Sequence, residues 1–101
     1  MTRKTDYTNE AQQRLLQLLN LLAGHELAGL APSQIARAQN CQPSVVTRDL
    51  DNLRTAGWAE QTPKDLWRLT PHVIQMSLRF GAALSASRQE IADVSSRYGQ
   101  R

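Results

Sequence analysis

The stretch Pro43-Ser44-Val45-Val46-Thr47-Arg48-Asp49-Leu50-Asp51-Asn52-Leu53, set within Leu30 to Thr70, decides the fold. Val46, Leu50, Leu53 and Gly57 recur at i, i+4, i+7 and i+11, the spacing of one helical stripe. At about 100° per residue, Ser44, Arg48, Asp51 and Thr55 fall on the opposite side, flanked by Val45, Thr47 and Asn52. One side can pack on a core. The other carries short hydroxyls, an arginine and an amide, which can hydrogen-bond base edges or phosphates in a groove. Pro43 suits the first helical position, where no N–H is needed, with Gln42 as the N-cap. Gly57 fits a left-handed stop after the last apolar position. Alone, this pattern also describes an ordinary amphipathic helix with a solvated face. Its neighbours in sequence argue for more.

Upstream, Pro32 opens a short helix to Gln39, with Ile35 and either Ala36 or Ala38 facing inward. Asn40-Cys41-Gln42 makes a three-residue turn in which Asn40 tolerates left-handed backbone. Cys41 reads as the small hydrophobe that buries this turn. A short helix, a tight turn and a longer amphipathic helix form a helix-turn-helix. After Gly57 the period changes. Trp58–Thr62 and Leu66–Thr70 alternate, with Pro63, Lys64 and Asp65 between them, which predicts a β-hairpin. A hairpin placed there is a wing. Lys64 at its tip and Arg68 on its second strand can reach phosphate or a minor groove. Trp58 is the tryptophan expected to pack the hairpin onto the helices.

The chain before this segment supplies a further helix. Thr8 can cap it and it runs to about Ala23, with Ala11, Leu15, Leu18, Leu19 and Leu22 as the core stripe. Leu16 and Leu21 lie off the stripe, so this helix is expected to be covered from more than one side. Leu27–Ala31, with Gly29, leaves room for one or two strand pairs. Residues 1–7 read as a flexible start in which Arg3 and Lys4 could touch phosphate. Residues 8–70 then make one winged helix-turn-helix domain.

Residues 71–101 form a separate segment. Thr70 can cap and Pro71 can open a long helix to about Tyr98. Val73, Ser77, Phe80, Leu84, Ser87, Ile91, Val94 and Tyr98 alternate at four- and three-residue spacing, a heptad-like seam. The preferred reading is a dimerisation helix with Val73, Phe80, Leu84, Ile91, Val94 and Tyr98 at the contact. The alternative is a helix folded back on its own domain.

Composition excludes several function classes. The chain has 101 residues and 41% apolar composition, enough for one compact core. The net charge of +3 and pI near 9.6 suit a polyanionic partner but identify none. Within residues 31–70, Arg37, Arg48, Arg54, Lys64 and Arg68 stand against Asp49, Asp51, Glu60 and Asp65. Binding to DNA must therefore rest on local placement and on a dimer. A single cysteine excludes an internal disulfide and suits a reducing cytoplasm. No apolar run reaches membrane-spanning length. His25 has no ligand cluster at metal spacing, and no nucleophile–base pair or phosphate loop is visible. No enzyme activity, metal or cofactor is expected.

The segment from Leu15 to Pro71, "LLQLLNLLAGHELAGLAPSQIARAQNCQPSVVTRDLDNLRTAGWAEQTPKDLWRLTP", resembles the N-terminal winged-helix domain of IclR-type regulators, and more distantly MarR-type regulators. The resemblance is carried by "IARA", by Ser44-Val45-Val46-Thr47-Arg48, by "LDNLRTAGWAE" and by the closing "WRLTP". It implies a prokaryotic-type transcriptional regulator whose third helix reads the major groove of double-stranded DNA. It carries over to Ser33, Gln34 and Arg37 as phosphate contacts and to Ser44, Thr47 and Arg48 as groove contacts; Val45 and Asn52, which flank that face of the helix, complete the candidate DNA-binding set. Gln39-Asn40-Cys41 stands where the family usually has Leu-Gly-Leu. The family's large ligand-binding domain is not in residues 71–101, so no small-molecule effector is expected. The expected protein is a cytoplasmic homodimer, mostly α with a small β-hairpin wing, that represses by occupancy. The other class of reading is a winged helix used as a protein-interaction or assembly module.

Overall fold

The computed structural model describes residues 5–97 and resolves two compact units, one up to Thr70 and one from Pro71 on. The first holds α1 (Glu10–Leu22), α2 (Pro32–Gln39), α3 (Pro43–Thr55), β1 (Ala59–Gln61) and β2 (Trp67–Leu69); the second holds α4 (His72–Arg97). The protein is mostly α with one antiparallel hairpin, a winged helix-turn-helix plus a long C-terminal helix. Arg3, Lys4 and Tyr98 lie outside the described residues.

The cap of α1 is Asn9, not Thr8. The Asn9 side-chain oxygen accepts from the Gln12 N–H at 3.0 Å, whereas the Thr8 N–H donates to Asp6. Asn9 has the extended backbone of an N-cap, and its amide oxygen reaches a helical N–H that would otherwise be orphaned. The core stripe is also narrower than the leucine pattern predicts. Leu18 and Leu22 are fully buried and Leu15 and Leu19 half-buried, but Ala11 is exposed. One turn before Leu18 this side of α1 presents Arg14, which is committed to an ion pair.

The boundaries of α2 and α3 follow their proline starts. Asn40 takes φ 51 and ψ 53, the left-handed stop that lets the chain turn between them. Ile35 is buried and Ala36 half-buried while Ala38 is exposed, so Ala36 is the small inward residue. On α3 the stripe Val46, Leu50 and Leu53 is at most 3% exposed. Burying each such side chain contributes roughly 1.5–3 kcal/mol. Gly57, at φ 85, ends α3: its N–H donates to Arg54 and that of Trp58 to Leu53 at 2.8 Å, a paired 5→2 and 6→1 closure.

The hairpin register pairs Ala59 with Leu69, Glu60 with Arg68 and Gln61 with Trp67. This register corrects the tryptophan assignment. Trp67 is buried and Trp58 only half-buried, because Ala59 and Leu69 face the core and alternation turns Trp58 away. Trp67 also exchanges two backbone hydrogen bonds with Leu30, each 2.8 Å, so the Leu27–Ala31 link contributes one bridge beside β2. Gly29 is needed there: its φ is +80, and a Cβ would meet Leu66 Cβ and the Trp67 carbonyl at 3.0 Å. At the tip, the Thr62 hydroxyl accepts from the Lys64 and Leu66 N–H groups, and Asp65 supplies a left-handed residue at φ 63. The Thr70 hydroxyl donates to the Gly57 carbonyl at 2.6 Å, tying the end of the wing to the end of α3.

The second unit is one helix of 26 residues that begins at His72, one residue later than the proline suggests. Its first helical bond runs from the Gln75 N–H to the Pro71 carbonyl. None of its residues is buried. Among the described residues no helix is long and apolar enough to cross a membrane.

Candidate nucleic-acid interface

Among the described residues, each group proposed from the sequence for DNA contact lies at least partly at the surface of the winged unit. Ser33, Gln34 and Arg37 are exposed on α2; Ser44, Thr47, Arg48 and Asn52 are exposed on α3, with Val45 half-buried; Lys64 is exposed at the wing tip, and Arg68 is half-buried. The opposite stripe of α3 fills the core, so packing alone turns this polar side outward.

Local hydrogen bonds sort these groups. The Thr47 hydroxyl donates to the Pro43 carbonyl at 3.1 Å, and the Asn52 amide donates to the Arg48 carbonyl at 2.9 Å. Both side chains are therefore folded down on their own helix. The Gln34 side-chain oxygen accepts from the Ala31 N–H at 2.8 Å, which caps α2 and leaves its NH2 group to donate. The side chains of Ser33, Ser44 and Arg48 make no hydrogen bond or ion pair with other described residues.

The charges sort in the same way. Asp49 is held by Arg14, Asp51 by Arg54, and Glu60 by its cross-strand neighbour Arg68 at 3.6 Å. Arg54 also lies over the Trp67 ring, 5.5 Å from its centroid. What remains among the described residues of this unit's α2, α3 and wing is one cation each without an acid partner: Arg37, Arg48 and Lys64. The weak overall charge of this segment thus conceals three cations without an acid partner, because three of its four acids are neutralised within the fold; the fourth, Asp65, is exposed beside Lys64 at the wing tip. Arg68, predicted as a wing contact, is partly occupied by Glu60.

Sequence reasoning missed one pair at the site's edge. Asp49 is 6% exposed although it lies on α3 next to Arg48. Arg14 Nε and Nη2 donate to its two carboxylate oxygens at 2.6 and 3.1 Å. This hydrogen bonding to a carboxylate raises the Arg14 pKa further above its already high ordinary value. The available signal was an acid at i+3 inside the stripe Val46, Asp49, Leu50, Leu53. Its partner, 35 residues away, is not readable from spacing. No group of three His, Cys, Asp or Glu residues that could hold a metal ion is present among the described residues.

No known family profile matches the chain, and no curated protein matches it. Solved structures do. The chain is similar to a Silicibacter protein assigned as an IclR transcriptional regulator, with 27% identity and a TM-score of 0.65 over 84% of this chain. That match covers 35% of the other protein, so the chain spans about a third of its length. It is also similar in fold to wild-type ZitR of Lactococcus lactis, with 18% identity, a TM-score of 0.53, and 96% of this chain against 66% of that one. A variant of ZitR gives 17% identity and a TM-score of 0.52 over 93% of this chain and 66% of that one. The chain is a winged helix-turn-helix that resembles an IclR-type regulator and shares its fold with ZitR.

Proposed function

We propose that this protein is a DNA-binding transcriptional regulator that inserts α3 into the major groove, lays its wing on the adjacent backbone, and represses by occupancy as a homodimer. One observation carries the reading. The helix-turn-helix and wing each present a cation without an acid partner, Arg37, Arg48 and Lys64, while Asp49, Asp51 and Glu60 are each neutralised by an arginine. Phosphate neutralisation by such cations supplies sequence-independent affinity, and side chains on α3 supply discrimination. Residues 71–101 are proposed as the dimerisation segment, with the seam Val73, Phe80, Leu84, Ile91 and Val94 on α4. The direct test is selection of bound fragments from a pool of random duplexes. Recovery of an inverted repeat supports a two-fold dimer reading two half-sites. Recovery of no enriched sequence would refute sequence-specific binding.

Two substitutions follow from the sorted charges. Arg48→Ala is expected to cost roughly 1–3 kcal/mol on the selected duplex, measured by gel shift. Parent-like binding by this variant would remove α3 from the groove. Lys64→Ala is expected to weaken binding to all duplexes alike and to lower the salt slope by about 0.9 for each phosphate it ceases to neutralise. Arg68→Ala is expected to change that slope less, since Glu60 already occupies this guanidinium. Equal effects of the two changes would show that the Glu60–Arg68 pair opens on DNA.

A further inference from the structure

We propose that Arg14, a residue of α1 outside the DNA-contacting set, positions the reading helix through Asp49, and that this brace sets the discrimination between specific and random duplexes. The inference rests on the DNA-binding reading. Its starting point is that one residue holds both helices of the helix-turn-helix. The Arg14 side chain grips both oxygens of Asp49 on α3. The Arg14 backbone carbonyl accepts from the Gln39 side-chain amide, at the end of α2, at 3.1 Å.

The two kinds of contact on α3 do different work. Burial of Val46, Leu50 and Leu53 chooses the inward face of α3, but this force is non-directional and fixes the fine rotation about the helix axis less tightly than a hydrogen-bonded fork does. The fork from a planar guanidinium to a carboxylate is directional and bidentate. Asp49 sits at the border of the apolar stripe, about 100° around the helix from Arg48. Anchoring Asp49 therefore fixes the direction in which Arg48 points. At a radius of about 6 Å, a rotation of roughly 20° moves a side-chain base by about 2 Å, enough to break a hydrogen bond. The brace also keeps an acid on the reading helix neutralised and turned from the phosphates.

The test compares Asp49→Asn, Arg14→Gln and the exchange Arg14→Asp with Asp49→Arg in the full chain. Each is titrated with the selected duplex and with a random duplex. Positioning and net charge predict different signs. If only charge mattered, Asp49→Asn would bind more tightly and Arg14→Gln more weakly, on both duplexes. The brace predicts that both single variants bind the selected duplex about tenfold more weakly, the worth of one base-edge hydrogen-bond pair, with a much smaller change on random duplex. The exchange, which keeps net charge and can re-form the pair, is expected to recover part of the selectivity. Opposite signs for the two single variants, or equal losses on both duplexes, would overturn the proposal. Where a single variant does not fold, the folded exchange decides: selectivity no better than that of the other single variant refutes the brace. A parent protein that binds no duplex would refute the DNA reading itself. In that case amide exchange judges the brace, which requires α3 to lose protection in Asp49→Asn relative to the hairpin.

Discussion

Leu84→Glu is expected to give a helical monomer whose affinity for the selected duplex is lower by roughly 10²- to 10⁴-fold, the range by which linking two modules exceeds either alone. The seam of α4 places Phe80, Leu84, Ile91 and Val94 on one side of the helix, and these residues are 72%, 44%, 66% and 46% exposed. Apolar groups repeated at heptad spacing over several turns are stabilised by a facing helix. A carboxylate in that contact would be desolvated without a partner. Ile91→Glu is expected to act in the same way. Arg79→Glu, off the seam, is expected to leave assembly unchanged. Sedimentation of parent and variants reads the assembly and gel shift reads the affinity. A parent that sediments as a monomer at high micromolar concentration, or a Leu84→Glu variant that binds as the parent does, would refute the dimer.

The second large effect concerns the winged unit itself. Trp67→Ala is expected to lower its stability by roughly 3–5 kcal/mol. Small domains are stable by about 5–15 kcal/mol, so much of this unit's margin would be lost. The Trp67 ring is buried where β2 meets the Leu30 bridge, and Arg54 lies over it. Trp58→Ala, at a half-buried site on the other face of the hairpin, is expected to cost about 1 kcal/mol. Urea unfolding followed by circular dichroism compares the two. A larger loss from Trp58→Ala would contradict the Gln61–Trp67 register.

This reversal of the tryptophans marks where sequence reading stops. The helix-turn-helix was legible because its signals are local: Pro32 and Pro43 at helix starts, Asn40 and Gly57 at left-handed stops, and one apolar stripe on α3. The inward face of a three-residue strand depends on cross-strand register, and Trp58-Ala59 and Trp67-Arg68 look alike without it. Alternation with Leu69 was the available clue. Thr8 and Asn9 are both capping residues, and only the backbone at Asn9 separates them. The surface position of Arg48 and Lys64 followed from the pattern. The state of their charges did not, because pairing within the fold decides which cations are free. Arg14–Asp49 joins α1 to α3 and leaves no trace in spacing.

The most direct test of the central claim is the affinity of the unmodified protein for its selected duplex as salt is raised. With Arg48 on a base edge, Arg37 and Lys64 on the phosphates of each of two protomers predict a straight line of log affinity against log salt with a slope of about −4, from roughly 0.9 per neutralised phosphate. A slope near zero would contradict DNA recognition through Arg37, Arg48 and Lys64.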